Sequence, residues 1–227
     1  MSTLVFPGRP RPKVPVIGAD AAFPVGRILC VGRNYAAHRR EMGGDDRDPP
    51  FFFAKPGDAV VTGGATAPYP SATSDLHHEI ELVVAIGMSG EAVEPSSALG
   101  LVFGYAVGVD LTRRDLQAAA KAKGQPWDAA KGFDHSAPIS DIRPWSGSAP
   151  NGSIRLFVNG AKRQEARLED MIWSIAEVIA EASRLWRLEP GDLIFTGTPE
   201  GVGALARGDR VIGEIDGVGR LSFAIGA

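Results

Sequence analysis

Short apolar runs separated by glycine and proline recur along the chain and favour strands over helices. The segments RILCVG, EIELVVAIG, LVFGYAVGVDLT and DLIFTG have the length and apolar content of buried strands. The stretch PPFFFAKPGDAVV reads as a strand broken by a turn. Two β-hairpins are predicted at Asn159-Gly160 and Asp216-Gly217, because such pairs between apolar segments favour tight turns.

Two segments carry helical signals. The clearer one runs from about Leu168 to Trp186, where apolar residues recur on one stripe with helical periodicity. A second helix is predicted after Thr112, which would cap it with Asp115 at the capping-box spacing, and Gly124 would end it. Residues 125–153 have little periodicity and read as a long functional loop. The predicted class is therefore α+β, with a substantial, partly antiparallel sheet and few helices.

Composition limits the kinds of binding partner and the cellular compartment that we expect for the protein. The 227 residues are 44% hydrophobic, with a formal net charge of −3, which argues against a nucleic-acid or anionic-membrane partner. No apolar run is long enough to span a bilayer, and the start of the sequence has no signal-peptide pattern. With Cys30 as the single cysteine no intrachain disulfide can form, so we expect a cytoplasmic protein. Residues 1–24 are expected to form a proline-rich arm packed on a single domain of residues 25–227.

Two acidic residues interrupt the apolar segment LHHEIELVVAIG. Glu79 and Glu81 would leave a strand on the same face, and that face continues with apolar Val83. Buried carboxylates repel each other unless a cation lies between them, and a strand bearing oxygen ligands suits Mg²⁺ or Mn²⁺. Asp110, at the end of the next strand, offers a third ligand. The alternatives are a solvent-facing strand edge for the pair and an acid favoured by a helix N-terminus for Asp110.

Other polar residues could carry chemistry. His38 and Glu41 are three apart, so one helical turn would let Glu41 orient His38 as a general base; an exposed amphipathic turn is the alternative. Lys131, in the predicted loop, could hold a carboxylate or oxyanion, or could simply be solvated. Thr198, in the glycine-rich turn TGTPEGVG, could help to bind a carboxylate.

The order of these segments is more specific than any one of them. GRNYAAHRREMG, PFFFAKPGDAV, HHEIELVV, GYAVGVDLTRRDLQ, KGFDHSAP and LIFTGTPEGVG follow one another with spacings that resemble the fumarylacetoacetate hydrolase family. The resemblance extends from about Pro24 to the end of the chain, and it is nearest to the small single-domain branch. It implies a β-rich mixed sheet rolled into a compact barrel-like body, and a homodimer.

The resemblance also implies roles for individual residues. Glu79, Glu81 and Asp110 match the ligands of Mg²⁺, for which Mn²⁺ or Ca²⁺ could substitute. His38 and Glu41 match a water-activating dyad carried on a lid. The residues that match positions facing or binding substrate are Lys131, Gln117, Thr198, Arg33 and Lys55. Of these, Lys131 would also take part in catalysis.

The activity implied is metal-dependent hydrolysis of a carbon–carbon bond in a 2,4-dioxo acid. Cleavage of 3-fumarylpyruvate to fumarate and pyruvate, in aromatic-acid (gentisate) breakdown, is the leading expectation. Alternatives within the enzyme class are an oxaloacetate decarboxylase, a general acylpyruvase and an isomerase of 2-oxo-diene dioates. An inactive metabolite-binding module is the alternative from another class.

Overall fold

The structure is a computed structural model that describes residues 5–35 and 48–227. Strands dominate it. In chain order they are β1 Lys13–Pro15, β2 Ala22–Pro24, β3 Ile28–Gly32, β4 Phe51–Lys55, β5 Val60–Val61, β6 Leu76–His78, β7 Ile80–Ile86, β8 Val102–Val109, β9 Thr112–Arg113, β10 Ala137–Pro138, β11 Arg143–Pro144, β12 Ser153–Val158, β13 Ala161–Arg167, β14 Leu193–Phe195, β15 Gly203–Leu205, β16 Arg210–Ile215 and β17 Gly219–Ala224. The described α-helices are α1 Pro95–Ala98, α2 Arg114–Ala122, α3 Asp128–Lys131 and α4 Ile175–Leu185.

Two larger sheets form the body of the molecule. The first has six strands in the order β11-β8-β7-β14-β3-β4, antiparallel except where β14 runs parallel to β3. The second has four antiparallel strands in the order β13-β12-β16-β17. A three-stranded sheet, β15-β6-β9, continues from the end of β7 at which the acidic residues lie.

The central strand β7 is buried along its whole length and divides the core in two. Leu82, Val84 and Ile86 belong to a large cluster that includes apolar residues of the four-stranded sheet and of α4. Val83 and Ala85 belong to a smaller cluster on the other face, with residues of β3, β14 and the β1–β2 hairpin. Glu81 shares the face of Val83 and Ala85, as strand alternation predicts.

Several predicted elements form as expected. The hairpin at Asn159-Gly160 joins β12 to β13, and both turn residues have positive φ, as a type I′ turn requires. The C-terminal hairpin joins β16 to β17 around Asp216-Gly217. The strand at Phe51–Lys55 ends at Pro56, where a 3₁₀ turn, Gly57–Ala59, leads to β5.

The predicted α+β class, with mixed sheets and few helices, is confirmed. In the described residues the six-stranded sheet ends in two separate edge strands, β11 and β4, so the sheet does not close into a barrel. The boundary between arm and domain at residue 24 stays a prediction. The residues on either side of it pack together, because Val14 and Phe23 of the first hairpin are buried in the smaller core cluster.

Three local predictions are wrong. The helix expected from Leu168 begins at Ile175, because Ser174 and Glu177 form a capping box there, while Leu168–Asp170 is a 3₁₀ turn. Thr112 does not cap α2, since it lies in strand β9, and Asp115 instead accepts hydrogen bonds from Thr73 and Ser74. The predicted loop 125–153 contains α3, β10 and β11. In the described part of the chain no helix has both the length and the apolar composition needed to cross a membrane.

Candidate metal centre and substrate cavity

Sheet register brings three acidic residues together. Glu79 lies between β6 and β7, and Asp110 directly follows β8. Ile80 pairs with Val109, so Glu79 and Asp110 are opposite each other, and the Asp110 N–H donates to the Glu79 carbonyl at 2.8 Å. One carboxylate oxygen from each of Glu79, Glu81 and Asp110 lies within 4.8 Å of the others, and all three residues are buried. We call these residues the acidic triad.

In the described ranges, three basic side chains contact the acidic triad. Lys131 Nζ lies 2.8 Å from Glu79 Oε2 and 2.6 Å from Asp110 Oδ2. Arg114 Nη2 lies 2.5 Å from Glu79 Oε1, and Lys55 Nζ lies 2.8 Å from Asp110 Oδ1. The three positive charges balance the three negative ones. A divalent cation would therefore leave this group of side chains with a net charge of +2.

The environment moves the pKa values of Glu79 and Glu81 in opposite directions. Burial alone would raise the pKa of Glu79, but the charges of Lys131 and Arg114 outweigh burial and hold that pKa well below its usual range. The pKa of Glu81 is raised by burial and then by the neighbouring charges of Asp110 and Glu79. Burial lowers the pKa of Lys131, yet Asp110 and Glu79 outweigh it, so that pKa lies above its usual value. Glu81 is thus the acid that most needs a further counter-charge.

The donor set fits a hard divalent cation. All three side chains offer carboxylate oxygens, which Mg²⁺ and Mn²⁺ prefer over softer ligands. Within the described residues Glu81 accepts one hydrogen bond, from Gly197 N–H at 2.7 Å, and no cationic side chain contacts it. The buried Asp110 Oδ1 makes no hydrogen bond within the described part of the chain, although Lys55 Nζ is close. Each acid of the triad can offer one carboxylate oxygen to an ion.

An inner cavity adjoins the acidic triad, and an outer cleft shares part of its lining. The inner one, about 30 Å³, is lined by the first two acids together with Arg33, Arg114, Gln117, Lys131, Thr198 and aromatic residues. An outer cleft of about 550 Å³ shares Arg33, Phe51, Phe53, Trp127 and Lys131 with it. Phe51 and Trp127 meet edge to face, with ring centroids 5.2 Å apart. The route from solvent to the triad therefore has aromatic walls, which suit a flat unsaturated ligand.

Arg33 supplies a positive charge where the two cavities meet. Its φ is 60°, a left-handed conformation that is uncommon outside glycine, asparagine and aspartate. Its guanidinium carbon lies 5.6 Å from the centre of the Phe51 ring, and its buried Nε has no hydrogen-bond partner among the residues that the structure describes. A buried donor without a partner is costly, so this nitrogen suits a bound acceptor such as a carboxylate.

The remaining predicted residues take different places. Gln117 is buried, and its Oε1 accepts from Arg114 Nη1 at 2.5 Å. Thr198 lines the inner cavity, and its Oγ1 accepts from Gln164 Nε2 at 2.9 Å. Lys55 is fully buried next to Asp110 and also donates to backbone carbonyls. It contacts the acidic triad but is not part of the lining of either cavity. His38 and Glu41 lie outside the described residues, and their roles stay predictions.

Sequence reasoning missed Arg114 and Gln164. Arg114 opens helix α2, where the helix dipole disfavours a cation, so a positive residue at that position signals that its charge is used elsewhere. Gln164 lies in the predicted hairpin, and nothing in its surroundings in the sequence distinguishes it from a solvent-facing strand residue. Only the fold shows that it is buried.

The family model described as fumarylacetoacetate (FAA) hydrolase C-terminal matches residues 27–225. The chain belongs to the fumarylacetoacetate hydrolase family. The match spans nearly the whole sequence, and therefore every residue of the acidic triad and of the cavities. The resemblance stated from the sequence motifs is thus confirmed.

Named relatives in this family carry different activities. The chain is 45% identical over 177 residues to a fumarylpyruvate hydrolase from Ralstonia sp, covering 78% of this chain and 92% of the relative. It is 43% identical over 200 residues to the mitochondrial oxaloacetate tautomerase FAHD1 of Rattus norvegicus, covering 87% and 90%. A crystal structure of fumarylpyruvate hydrolase from Pseudomonas aeruginosa, in complex with Mn²⁺ and pyruvate, superposes with a TM-score of 0.95 at 48% identity, covering 99% of each chain.

Proposed function

We propose that the protein is a metal-dependent hydrolase that cleaves 3-fumarylpyruvate, or a closely related 2,4-dioxo acid, into a carboxylic acid and pyruvate. The observation that carries the proposal is the acidic triad, balanced by three basic side chains and open to a cleft with aromatic walls. The Mn²⁺ and pyruvate held by the related structure from P. aeruginosa support a divalent ion and a 2-oxo acid product.

The charge of the site suits a substrate with two carboxylates. Together with a divalent ion, the acidic triad and its three cations have a net charge of +2, and Arg33 adds a further positive charge, so the site attracts a dianion. Arg33, whose guanidinium lies next to the Phe51 ring at the outer cleft, would bind the carboxylate farther from the ion. The conjugated carbon chain between the carboxylates would lie against Phe51 and Trp127. This arrangement favours a long, flat diacid over a small apolar acyl group.

Individual residues of the chain would have separate roles in the reaction. Mg²⁺, when bound by the acidic triad, supplies a Lewis acid for the negative charge that develops on the departing pyruvate enolate. His38, oriented by Glu41, is predicted to take a proton from water, and the resulting hydroxide adds to the C4 carbonyl. Breaking the C3–C4 bond then gives fumarate and the enolate of pyruvate, which is protonated at C3. Lys131, whose Nζ lies between Glu79 and Asp110, adds positive charge beside that enolate.

A second candidate function is supported by the rat relative, which is an oxaloacetate tautomerase at similar identity. Tautomerisation of oxaloacetate requires the enolate of a 2-oxo acid, here oxaloacetate itself, to be stabilised, but it breaks no carbon–carbon bond and needs no water to be activated. The aromatic walls of the outer cleft and the Arg33 guanidinium beside them suit the longer diacid, and this favours the hydrolase.

A substrate panel tests the proposal. Fumarylpyruvate, maleylpyruvate, acetylpyruvate and oxaloacetate would each be assayed with Mg²⁺ and with EDTA, following loss of the enol absorbance and release of pyruvate. We expect kcat/KM to be highest for fumarylpyruvate and activity to be lost in EDTA. Turnover of oxaloacetate without hydrolysis of any dioxo acid would contradict the proposal and favour the tautomerase or decarboxylase alternatives.

A further inference from the structure

Gln164 is the one buried residue of β13, which is an edge strand of the four-stranded sheet. Its exposed fraction is 1%. The pairing of β12 with β13 shifts register next to it: Leu156 pairs with Gln164 and Phe157 with Lys162, which leaves Arg163 as an extra residue. Such bulges redirect side chains next to functional sites. The fold therefore brings an amide side chain inward from a strand that otherwise faces solvent.

The Gln164 amide uses its full hydrogen-bonding capacity. Its Oε1 lies 2.9 Å from His78 Nδ1 and accepts from Ile80 N–H at 3.1 Å. Its Nε2 donates to Thr198 Oγ1 and to the Pro199 carbonyl, both at 2.9 Å. A backbone N–H can only donate and a carbonyl can only accept, so these two partners fix the orientation of the amide.

These contacts join the two parts of the candidate site. His78 and Ile80 flank Glu79 in the chain, so Gln164 holds the side chain of the residue before that acid and the backbone N–H of the residue after it. Thr198 belongs to the turn whose Gly197 N–H donates to Glu81 Oε2 at 2.7 Å. The turn lies close to β13, because a Cβ on Gly201, where φ is +87°, would meet the Arg163 carbonyl at 2.3 Å.

The same contacts set the direction of the Thr198 hydroxyl. Because Thr198 Oγ1 accepts a hydrogen bond from Gln164, its own hydrogen remains available for another acceptor. Thr198 lines the inner cavity beside Glu79 and Glu81. A hydroxyl oriented in this way would donate to a carboxylate or enolate oxygen in that cavity.

We propose that Gln164 is a positioning residue that fixes the acidic triad for metal binding and orients Thr198 as a donor to the substrate. It acts through Glu79 and Thr198 and does not itself touch the substrate. The first part depends on the described contacts alone, whereas the second part rests on the proposed function.

The affinity for Mn²⁺ tests the first part without any assay of activity. Gln164→Met keeps the size of the side chain but removes the hydrogen bonds of Gln164 to His78 and Ile80, on either side of Glu79, and to the turn at Thr198. By titration calorimetry we expect Mn²⁺ to bind about 10–100-fold more weakly, the usual effect of losing a partner that orients metal ligands. The control is Glu165→Gln on the same strand, whose side chain is half exposed and pairs with Lys162. Wild-type Mn²⁺ affinity in Gln164→Met would overturn the proposal.

A double-mutant cycle tests the second part, and it uses a variant that keeps the size of the buried side chain. In Gln164→Glu an ionised carboxylate cannot donate to Thr198, so the hydroxyl turns toward residue 164. We expect the Mn²⁺-loaded variant to bind pyruvate about tenfold more weakly, which corresponds to about 1.4 kcal/mol. In a Thr198→Val background, the Glu substitution should weaken binding by less than about twofold. Equal losses in both backgrounds would overturn the orienting role. If the wild-type protein hydrolyses no dioxo acid, the proposed function fails, while the Mn²⁺ affinity of Gln164→Met still decides the positioning role.

Discussion

Replacing Lys131 by methionine removes the ammonium group that bridges Glu79 and Asp110. Its Nζ lies within 2.8 Å of a carboxylate oxygen on each acid, and all three residues are almost fully buried. Breaking a buried ion pair by removing one partner costs about 3–5 kcal/mol, because the remaining charge cannot be solvated. For a chain of this size, 1 kcal/mol corresponds to about 2–4 °C. The metal-free variant should therefore melt about 6–20 °C below the wild-type protein.

Adding a divalent ion should reverse part of this loss. An ion that binds only the native state at 100 times its Kd stabilises it by about 2.7 kcal/mol, or about 5–10 °C for the wild-type protein. In Lys131→Met the ion also replaces the missing positive charge. We therefore expect a larger rise in melting temperature at the same free Mg²⁺ concentration.

Thermal unfolding followed by circular dichroism, in EDTA and across a Mg²⁺ series, measures both effects. Lys162→Met is the matched control, because Lys162 pairs with Glu165 at the surface and its loss should cost less than about 1 kcal/mol. Two results would refute the reasoning: a metal-free melting temperature within 2 °C of wild type on the scale just estimated, or a smaller rise with Mg²⁺ than in the wild-type protein. A wild-type protein that Mg²⁺ does not stabilise at all would favour the inactive binding module.

Three further predictions concern single residues. Arg33→Gln should raise KM for fumarylpyruvate about 10–100-fold, the scale for a hydrogen bond to a charged group. KM for acetylpyruvate, which lacks the second carboxylate, should stay within about twofold. Equal changes for both substrates would argue against Arg33 as the residue that binds the second carboxylate. His38→Ala should lower kcat about 100-fold or more while Mg²⁺ still raises the melting temperature, and wild-type turnover would remove this residue from the account. Glu81→Gln should stabilise the metal-free protein at pH 7 and abolish the Mg²⁺ effect. Because the pKa of Glu81 is raised in the folded protein, ionisation of Glu81 lowers the free energy of unfolding as pH rises above about 4.3, the pKa in the unfolded chain. The extra stability of the variant, measured by urea titration, should therefore vanish below that pH. Extra stability that persists there would contradict a raised pKa for Glu81.

Strand alternation and element order predicted the acidic triad because both are local properties. Glu79, directly before β7, and Glu81 had to share a face because they are two residues apart, and Asp110 had to end the neighbouring strand if β7 and β8 paired without a long connection. The cations that balance the acids could not be derived in this way. Lys131 reaches them only because α3 forms within residues that have no helical periodicity, and Arg114 reaches them because β9 and α2 follow Asp110 at once.

The wrong local predictions share a physical cause, which is that tertiary partners compete for the same polar groups. Asp115 has the spacing of a capping residue, yet it accepts from Thr73 and Ser74, which are about 40 residues away in the chain. The apolar stripe assigned to one helix extends N-terminal to Ser174, where a true capping box starts the helix instead. Gln164 has no local signal at all, since its burial depends on the turn at Thr198 lying against β13.

The fate of the oxygen atom of water tests the hydrolase assignment most directly. The protein, Mg²⁺ and fumarylpyruvate would be incubated in ¹⁸O-labelled water, and the products would be identified by NMR and mass spectrometry. The account predicts fumarate and pyruvate in equal amounts, one ¹⁸O atom in the new carboxylate of fumarate, and no reaction in EDTA. Recovery of the unchanged seven-carbon acid, or of an isomer of it without ¹⁸O in a new carboxylate, would contradict it.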